Sequence, residues 1–219
     1  MSQLGGEFSH SAQPIRAVIL DYGDVISLPR DPAVLGEMAA IFKLPGDEFR
    51  KHYDFFRHDY DRGSFDAEGY WRRIGEKAGI APTEDDLARL READVRMWAR
   101  LNPAILRWAD KLRAAGFKTA VLSNMHQDMV ARIRGDSEWS RRFNCLTLSS
   151  AIKMAKPELE IFEYCLKCLG VAPSEALFID DRESNVRAAE EVGIRGIVAP
   201  STEELKEKLK AMGFAPVPE

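Results

Sequence analysis

The sequence contains no apolar run that approaches the length of a membrane-spanning helix. Such a helix needs roughly 18–20 consecutive apolar residues, and charged residues interrupt every apolar stretch here well before that length. A strong excess of one charge is also missing, because 31 Lys and Arg residues stand against 35 Asp and Glu residues and the net charge is −4. We therefore expect a soluble protein with no membrane partner and no nucleic acid as its main partner.

Cysteine is scarce, with three residues in the chain. The odd number favours a reducing cytoplasm over a disulfide framework. Cys165 and Cys168 have the C-x-x-C spacing of zinc ligands, but no second pair completes a zinc site. We expect them to pack in the core of an apolar helix over residues 158–169, and we expect Cys145 to be unpaired.

The first fourteen residues also lack an apolar stretch, so they resemble neither a signal peptide nor a structural element. We expect residues 1–14 to be a disordered tail. The chain has 219 residues, 45% of them hydrophobic, which is enough for one α/β core and a small accessory domain.

Strands and helices alternate over most of the remaining chain. Residues 15–20 form a short apolar run that is typical of a buried strand. Further strands are predicted over 118–122, 143–148, 176–179 and 195–198, and helices over 103–115, 125–134, 158–169, 183–192 and 202–212. This alternation predicts an α/β fold with a Rossmann-like, mainly parallel sheet and helices on both faces.

Residues 28–101 interrupt the alternation with apolar residues at helical spacing and without a convincing strand. About four helices are expected there, with Asp66 and Thr83 as the N-caps of two of them. Because this segment is too long for a crossover connection, we interpret it as an inserted all-α cap. The core domain would then comprise residues 15–27 and 102–219.

Polar side chains follow the predicted strands at the points where those strands end. Because ligands bind at the carboxyl ends of strands in open parallel sheets, these side chains are expected to converge on one site. Alone, each is more often a turn former or a helix cap, and it is their equivalent positions that favour a common site. They are Asp21, Ser123, Asn124, Lys156, Asp180 and Asp181.

Each of these residue types has a use in phosphoryl transfer. A carboxylate can attack phosphorus and become an aspartyl-phosphate. Several oxygen ligands at one point suit Mg²⁺, which offsets the repulsion between that carboxylate and an anionic phosphate. A hydroxyl, an amide and an ammonium group can hold the phosphoryl oxygens as charge spreads over them. We therefore expect a small phosphorylated molecule as the substrate.

In the order and context of these residues, the sequence resembles the haloacid dehalogenase superfamily of hydrolases over about residues 15–210. Residues 156–162 (KPELEIF) are similar to the family pattern K-P-D-P-x-I-F, and residues 178–186 (FIDDRESNV) are similar to its D-D-x-x-x-N-V form. The helical segment resembles the inserted cap of the C1 class. The resemblance implies a Mg²⁺-dependent phosphatase.

The resemblance also implies a role for each residue of the site. Asp21 would be the nucleophile and a metal ligand, and Gly23 would lend its carbonyl oxygen to the metal. Asp181 would bind the metal directly or through water, with Asp180 and Asn185 in support. Ser123, Asn124 and Lys156 would hold the phosphate, and Lys156 would also position Asp21.

Residues 21–25 (DYGDV) depart from the usual family pattern, which has a second Asp two residues after the nucleophile. Gly23 stands there instead, as in a D-x-G-x-V subgroup similar to glucose-1-phosphate phosphatase and the N-terminal phosphatase domain of epoxide hydrolases. Asp24 is expected to point elsewhere, and His126 is either a substitute acid or a polar residue that begins a helix. Losing a general acid costs about 10²–10⁴-fold in rate, so we expect activated phosphates, such as anomeric sugar or acyl phosphates, to be preferred.

Other functions stay open at this point. A 2-haloacid dehalogenase would have an aromatic residue in place of Gly23 and no need of Asp180 and Asp181. A catalytically idle binding module is consistent with the missing acid, and a phosphomutase would pass the phosphoryl group from Asp21 to a sugar. Monomer and homodimer are both compatible with the sequence.

We expect the helical segment over residues 28–101 to determine most of the substrate specificity. Its aromatic and basic residues are candidates, although such residues are more often packing or surface groups. They are Arg30, His52, Tyr53, His58, Tyr60, Arg62 and Trp71.

Overall fold

A computed structural model of the chain describes residues 14–219. The predicted tail over residues 1–14 therefore lies, except for Pro14, outside the described residues. Within 14–219, no helix is long and apolar enough to cross a membrane.

Five parallel strands form one sheet in the order β3-β2-β1-β4-β5. This confirms the predicted α/β fold with a parallel, Rossmann-like sheet. Leu20 at the end of β1 lies beside Val121 of β2 and Ile179 of β4, so the central strands end at one edge. The strands are β1 (Ala17–Leu20), β2 (Lys118–Ser123), β3 (Cys145–Leu148), β4 (Ala176–Asp180) and β5 (Arg195–Val198).

Twelve α-helices are present in residues 14–219. Five of them lie within residues 28–101: α1 (Pro32–Ile41), α2 (Gly46–Phe55), α3 (Arg57–Arg62), α4 (Ala67–Ala78) and α5 (Glu84–Trp98). The others are α6 (Pro103–Ala114), α7 (Gln127–Gly135), α8 (Ser137–Ser140), α9 (Ser149–Ile152), α10 (Leu159–Leu169), α11 (Glu183–Glu191) and α12 (Thr202–Ala211).

The sheet is covered on both faces because its strands are apolar on both sides. Val18 and Leu20 of β1 point into a cluster that includes side chains of α6, α7 and α12. Ala17 and Ile19 point the opposite way, into a second cluster with α10 and α11. This two-sided burial is typical of parallel sheets, and it leaves the carboxyl edge of the sheet as the place for polar side chains.

Helices α1–α5 bury their apolar faces against one another in a third cluster, which contains the rings of Tyr53, Tyr70 and Trp71. The two predicted N-caps are confirmed, since Asp66 accepts a hydrogen bond from the N–H of Gly69 and Thr83 forms a capping box. The segment has five helices rather than about four, because α3 begins only one residue after α2 ends. The division into a core and a cap stays a prediction, which this separate cluster supports.

The predicted state of the cysteines is wrong for two of the three. Cys145 at the start of β3 and Cys168 on α10 form a disulfide, with their Cα atoms 6.1 Å apart. Cys165 is buried and unpaired, as expected of a core residue. The pairing follows from tertiary packing, because α10 lies against β3 and brings Cys168 next to Cys145.

Candidate functional site

A cavity of about 250 Å³ lies between the carboxyl edge of the sheet and helices α1–α5. The predicted residues on the sheet side converge there. Those that line the cavity are Asp21, Gly23, Ser123, Asn124, Lys156, Asp181 and Asn185. Asp180 lies directly behind them and is fully buried.

Asp21 is held at the cavity by the end of β1 and the turn that follows it. Its N–H donates to the carbonyl oxygen of Ile179, which continues the sheet by one residue. Its Oδ1 accepts hydrogen bonds from the N–H of Tyr22 at 2.6 Å and from Nζ of Lys156 at 2.7 Å. Within residues 14–219, Oδ2 makes no hydrogen bond, so this oxygen is available to a reacting group.

The acidity of Asp21 reflects both its burial and its neighbours. Burial raises the pKa of Asp21 to about 7, the ammonium group of Lys156 opposes the rise, and the carboxylate of Asp180 adds to it. A positive charge placed beside Asp21 would lower this pKa and favour the ionised form, which is the form that can act as a nucleophile.

Lys156 is buried between two carboxylates. Its Nζ lies 2.7 Å from Oδ1 of Asp21 and 2.6 Å from Oδ2 of Asp180. Burial alone would lower the pKa of Lys156, but the two carboxylates outweigh it and the pKa is raised. Lys156 is therefore a fixed cation in the wall of the cavity.

The side chain of Asn124 is engaged with the backbone of Lys156. Its Nδ2 donates to the carbonyl oxygen of Lys156 and its Oδ1 accepts from the N–H of the same residue, both at 2.8 Å. The side-chain amide therefore positions Lys156. Ser123 is buried at the end of β2, and among residues 14–219 its hydroxyl makes only a 3.4 Å contact, with the carbonyl oxygen of Asn124.

Asp21, Asp180 and Asp181 each offer an oxygen atom within 4.8 Å of the others. Asp180 is oriented by the N–H of Arg182 and by Nδ2 of Asn185, which donate to its oxygens at 2.8 and 3.0 Å. Lys156 is the only cation bonded to these three carboxylates in the described part of the chain. The excess negative charge and the hard oxygen donors fit a divalent cation such as Mg²⁺.

Gly23 faces an aromatic ring of α5. A Cβ atom at this position would lie 3.5 Å from the ring of Trp98. The main chain of Trp98 is fixed to the same turn by the hydroxyl of Tyr22, which donates to its carbonyl oxygen at 2.8 Å. A longer side chain at residue 23 would therefore meet the indole ring.

Asp24 borders the cavity, contrary to the expectation that it points elsewhere. It has a left-handed backbone conformation, with φ of 58°, which turns the chain sharply after Gly23. Burial raises the pKa of the Asp24 carboxyl group, and Arg30 and Arg182 oppose the rise.

His126 precedes α7 and is almost fully buried. Its ring stacks on Tyr60, with Nδ1 3.2 Å from the Tyr60 hydroxyl, and its Nε2 lies 3.5 Å from Oδ2 of Asp94. Burial lowers the pKa of His126, and the carboxylate of Asp94 opposes this decrease. The ring is thus engaged with α3 and α5, and it also borders the cavity.

Residues of the helical segment form the opposite wall of the cavity. Of the candidates named from the sequence, Arg30 and His58 line the cavity, whereas Tyr53, Tyr60 and Trp71 are buried in the α1–α5 cluster and Arg62 binds Glu158. Four further residues of this wall were not among the candidates from the sequence, namely Asp54, Arg57, Asp61 and Trp98. The i, i+4 spacing of Arg57 and Asp61 was a usable signal, because it places opposite charges on one helix face.

Comparison with known proteins gives one family. A family model described as haloacid dehalogenase-like hydrolase matches residues 15–193. This range extends from β1 to the residue that follows α11 and its C-cap, and includes every residue that lines the cavity.

Three curated relatives share between 28% and 33% of their residues with the chain over the aligned parts. Acyl-CoA dehydrogenase family member 10 of Mus musculus is 33% identical over 51% of this chain and 10% of its own length. Bifunctional epoxide hydrolase 2 of Rattus norvegicus is 29% identical over 54% of this chain and 22% of its own length. A sesquiterpene phosphatase of Aspergillus oryzae is 28% identical over 63% of this chain and 69% of its own length. The chain thus corresponds to only a small part of the first two relatives.

The fold is shared with solved structures. An HAD family enzyme from Bacteroides thetaiotaomicron, solved as a magnesium complex, superposes with a TM-score of 0.70 over 85% of this chain and 94% of that enzyme. The two sequences are 23% identical. At this identity the likeness concerns the fold.

Proposed function

Because the chain belongs to the haloacid dehalogenase-like hydrolases, we propose that it is a Mg²⁺-dependent phosphatase that acts on a small phosphorylated metabolite through Asp21. The observation that carries this proposal is the arrangement of Asp21, Lys156 and Asp181 around one cavity. Asp21 presents a free carboxylate oxygen, Lys156 a fixed ammonium group, and Asp181 a further carboxylate. Phosphoryl transfer requires a nucleophile that attacks phosphorus and charged groups that stabilise the phosphoryl oxygens, and these residues supply such groups.

In the proposed reaction, Oδ2 of Asp21 attacks phosphorus and the bond between phosphorus and the leaving oxygen breaks. The leaving oxygen takes a proton from solvent and departs as an alcohol. A water molecule then attacks phosphorus, which releases inorganic phosphate and restores the Asp21 carboxylate. Ser123 and Lys156 hold the phosphoryl oxygens throughout, and the amide of Asn124 keeps Lys156 in place.

Asp21, Asp181 and the carbonyl oxygen of Gly23 would hold Mg²⁺, with Asp180 and Asn185 orienting the group from behind. The cation would offset the negative charge of the phosphate and of the carboxylates, which is what allows an anionic nucleophile to approach an anionic substrate. Burial raises the pKa of Asp21 to about 7 and the carboxylates of Asp180 and Asp181 add to the rise, whereas such a cation would lower it.

The leaving group is proposed to be activated, because Gly23 cannot donate a proton and the ring of Trp98 occupies the space beside it. An anomeric sugar oxygen or an acyl oxygen departs with less protonation than a simple alkoxide. Helices α1–α5 would act as the cap that covers this leaving group.

Hydrolysis of p-nitrophenyl phosphate with Mg²⁺ tests the proposal. The Asp21→Asn variant should lose at least about 10³-fold in kcat, since it removes the nucleophile, and a chelator should abolish turnover by the unchanged protein. The matched control is Asp47→Asn, which alters an exposed aspartate of α2 far from the cavity.

The alternative is a binding module on the same fold, and the observation that favours it is the absence of an acid at Gly23. Equal background rates from the unchanged protein and the Asp21→Asn variant would support this alternative and contradict the phosphatase.

A further inference from the structure

We propose that the α1–α5 wall of the cavity is a leaving-group site for an uncharged, hydroxyl-rich group such as a sugar ring or polyol. The site comprises Arg57 and Asp61 of α3, with Arg30 and Trp98 beside them. This inference rests on the proposed phosphatase function and adds to it the chemical class of the leaving group.

Arg57 presents one free edge of its guanidinium group. Its Nε donates to Oδ2 of Asp61 at 3.0 Å, and its Nη1 donates to Asp94 at 2.9 Å. The ring of Tyr53 lies 4.9 Å from its guanidinium carbon, which fixes the plane of the group. Within the described residues, Nη2 makes no hydrogen bond, so Arg57 is a preorganised donor in the cavity wall.

Asp61 supplies an unpaired acceptor at the same place. Its side chain is nine-tenths buried, with 10% of its surface exposed, and it lines the cavity. Oδ2 is bonded to Arg57, whereas Oδ1 is buried and has no hydrogen-bond partner within residues 14–219. Buried polar atoms in folded proteins are almost always hydrogen-bonded, so this orphaned oxygen points to a missing donor.

A hydroxyl group matches this pair of residues. It can donate to Oδ1 of Asp61 and accept from Nη2 of Arg57, because a hydroxyl is a donor and an acceptor at once. Several hydroxyl groups on adjacent carbons would satisfy both residues from one molecule.

The charges of the wall disfavour a carboxylate on the leaving group. Arg57 already has Asp61 and Asp94 as partners, and Arg30 donates to Asp54 at 2.7 Å. A substrate carboxylate would find both guanidinium groups neutralised and would lie close to several carboxylates of the protein.

An apolar leaving group is disfavoured for the opposite reason, since it would leave Nη2 of Arg57 and Oδ1 of Asp61 without hydrogen-bond partners. The half-buried ring of Trp98 offers a flat apolar surface on this wall, with the guanidinium of Arg30 stacked 5.3 Å from its centre. One apolar face among polar groups suits the C–H face of a sugar. The volume of about 250 Å³ is below the usual range of about 300–1,000 Å³ for ligand pockets, which suits a small molecule.

The first test compares substrates on the unchanged protein with Mg²⁺. Glucitol 6-phosphate and n-hexyl phosphate release the same kind of primary alcohol and differ in hydroxyl groups, so their kcat/KM ratio reports the leaving-group site alone. We expect a ratio of at least about 100, because a site built to hydrogen-bond hydroxyls rejects an analogue that lacks them. A ratio near one would overturn the proposal. A kcat/KM for phosphoglycolate or farnesyl phosphate above that for glucitol 6-phosphate would also overturn it.

The second test changes Asp61. Asp61→Asn keeps the shape of the side chain and should reduce the glucitol-to-hexyl ratio at least about tenfold. Asp59→Asn, an exposed residue two positions away on α3, should keep the ratio. An equal loss on both substrates would indicate a structural role and contradict the proposal. If Asp61→Asn does not fold, the substrate ratio of the unchanged protein decides.

The two proposals fail separately. Hydrolysis of p-nitrophenyl phosphate that depends on Asp21, together with a ratio near one, contradicts the leaving-group site alone. If no phosphate ester is hydrolysed, the phosphatase is contradicted, and calorimetric binding of the same two phosphates decides the site. Tighter binding of glucitol 6-phosphate supports it, and equal binding overturns it.

Discussion

At the scale of single residues, Lys156 is the counter-ion for two carboxylates that would otherwise be buried without one. Its Nζ lies within 2.7 Å of both Asp21 and Asp180. Removing one partner of a buried ion pair costs about 3–5 kcal/mol, because the remaining charge stays buried and uncompensated. The cation therefore affects the stability of the protein as well as the proposed chemistry.

The Lys156→Met variant is therefore expected to lose about 3–5 kcal/mol of unfolding free energy, measured by urea denaturation. Adding Asp180→Asn to it should recover part of the loss, since one of the two uncompensated charges is then removed. Lys167→Met, on the exposed face of α10, is the control. An unchanged midpoint for Lys156→Met would show that the carboxylates are neutral in the folded protein.

Gly23 and Trp98 form a pair at the residue scale. Gly23→Ala should be tolerated, because its Cβ atom would lie at an ordinary contact distance of 3.5 Å from the indole ring. Gly23→Asp should lower kcat/KM for p-nitrophenyl phosphate despite restoring the usual acid, since its carboxylate would meet that ring and add charge beside Asp21. The double variant Gly23→Asp/Trp98→Ala should have a higher kcat/KM than Gly23→Asp for a simple alkyl phosphate. An increase in kcat/KM from Gly23→Asp alone would show that the Trp98 ring moves to accommodate the new carboxylate.

The residues on the sheet side could be predicted from the sequence, and those on the helical side could not. Ser123 ends a strand, and Asp21 and Asp181 directly follow one, so the parallel sheet fixes their positions. Arg57 and Asp61 reach the cavity only because α3 packs in one particular orientation on the other helices. Their sequence is equally typical of a solvated helix face, and only the tertiary contacts distinguish the two.

At the scale of elements, two glycines in helix interiors differ in what surrounds them. A Cβ added at Gly36 in α1 would have no described atom within 4 Å apart from its chain neighbours and the helix's own backbone. An added Cβ at Gly75 in α4 would meet the carbonyl oxygen of Ile80 and lie 2.7 Å from Pro82, because the chain folds back over the end of the helix.

Alanine substitutions at these two positions should therefore have opposite effects. Gly36→Ala should stabilise the protein by about 0.5–1 kcal/mol through helix propensity alone. Gly75→Ala should destabilise it by about 1–3 kcal/mol through overpacking. Thermal unfolding of the two variants side by side measures both effects, and stabilisation by Gly75→Ala would show that the loop after α4 moves freely.

The elements themselves were predicted well where the hydrophobic period was unbroken. The strands around Asp21 and Asp180 and the helices α10 and α11 fall within a few residues of their predicted bounds. The disulfide was not predicted, because Cys145 and Cys168 are 23 residues apart and come together only when β3 and α10 pack. Helix α3 was not predicted as a separate helix, because six residues with one buried aromatic side chain show too little hydrophobic periodicity.

At the scale of the whole molecule, polar contacts connect the helices α1–α5 to the sheet layer. Arg91 of α5 binds Asp128 of α7 through two hydrogen bonds of 2.8 and 2.7 Å. Arg62 of α3 binds Glu158 near the start of α10. His126 contacts α3 through the ring of Tyr60 and α5 through Asp94. These contacts hold the two walls of the cavity together.

His126 makes this junction sensitive to pH. Asp94 faces the ring from α5, Tyr60, Arg57 and Asp61 face it from α3, and Asp128 from α7. Burial holds the pKa of His126 below its usual 6.5, so the folded protein binds fewer protons there than the unfolded chain. The unfolding free energy should therefore fall as the pH drops below about 6.5.

The melting temperature of the unchanged protein and of His126→Gln, each measured at pH 8 and pH 5.5, checks this expectation. The raised pKa of Asp21 acts in the opposite sense, since the folded protein binds a proton there before the unfolded chain does. It acts equally in both proteins, so the difference between them isolates His126. The advantage of the unchanged protein over His126→Gln should shrink at pH 5.5, whereas exposed His58→Gln should follow the unchanged protein. A constant difference would mean that the junction accommodates a charged imidazole, with Asp94 as its partner.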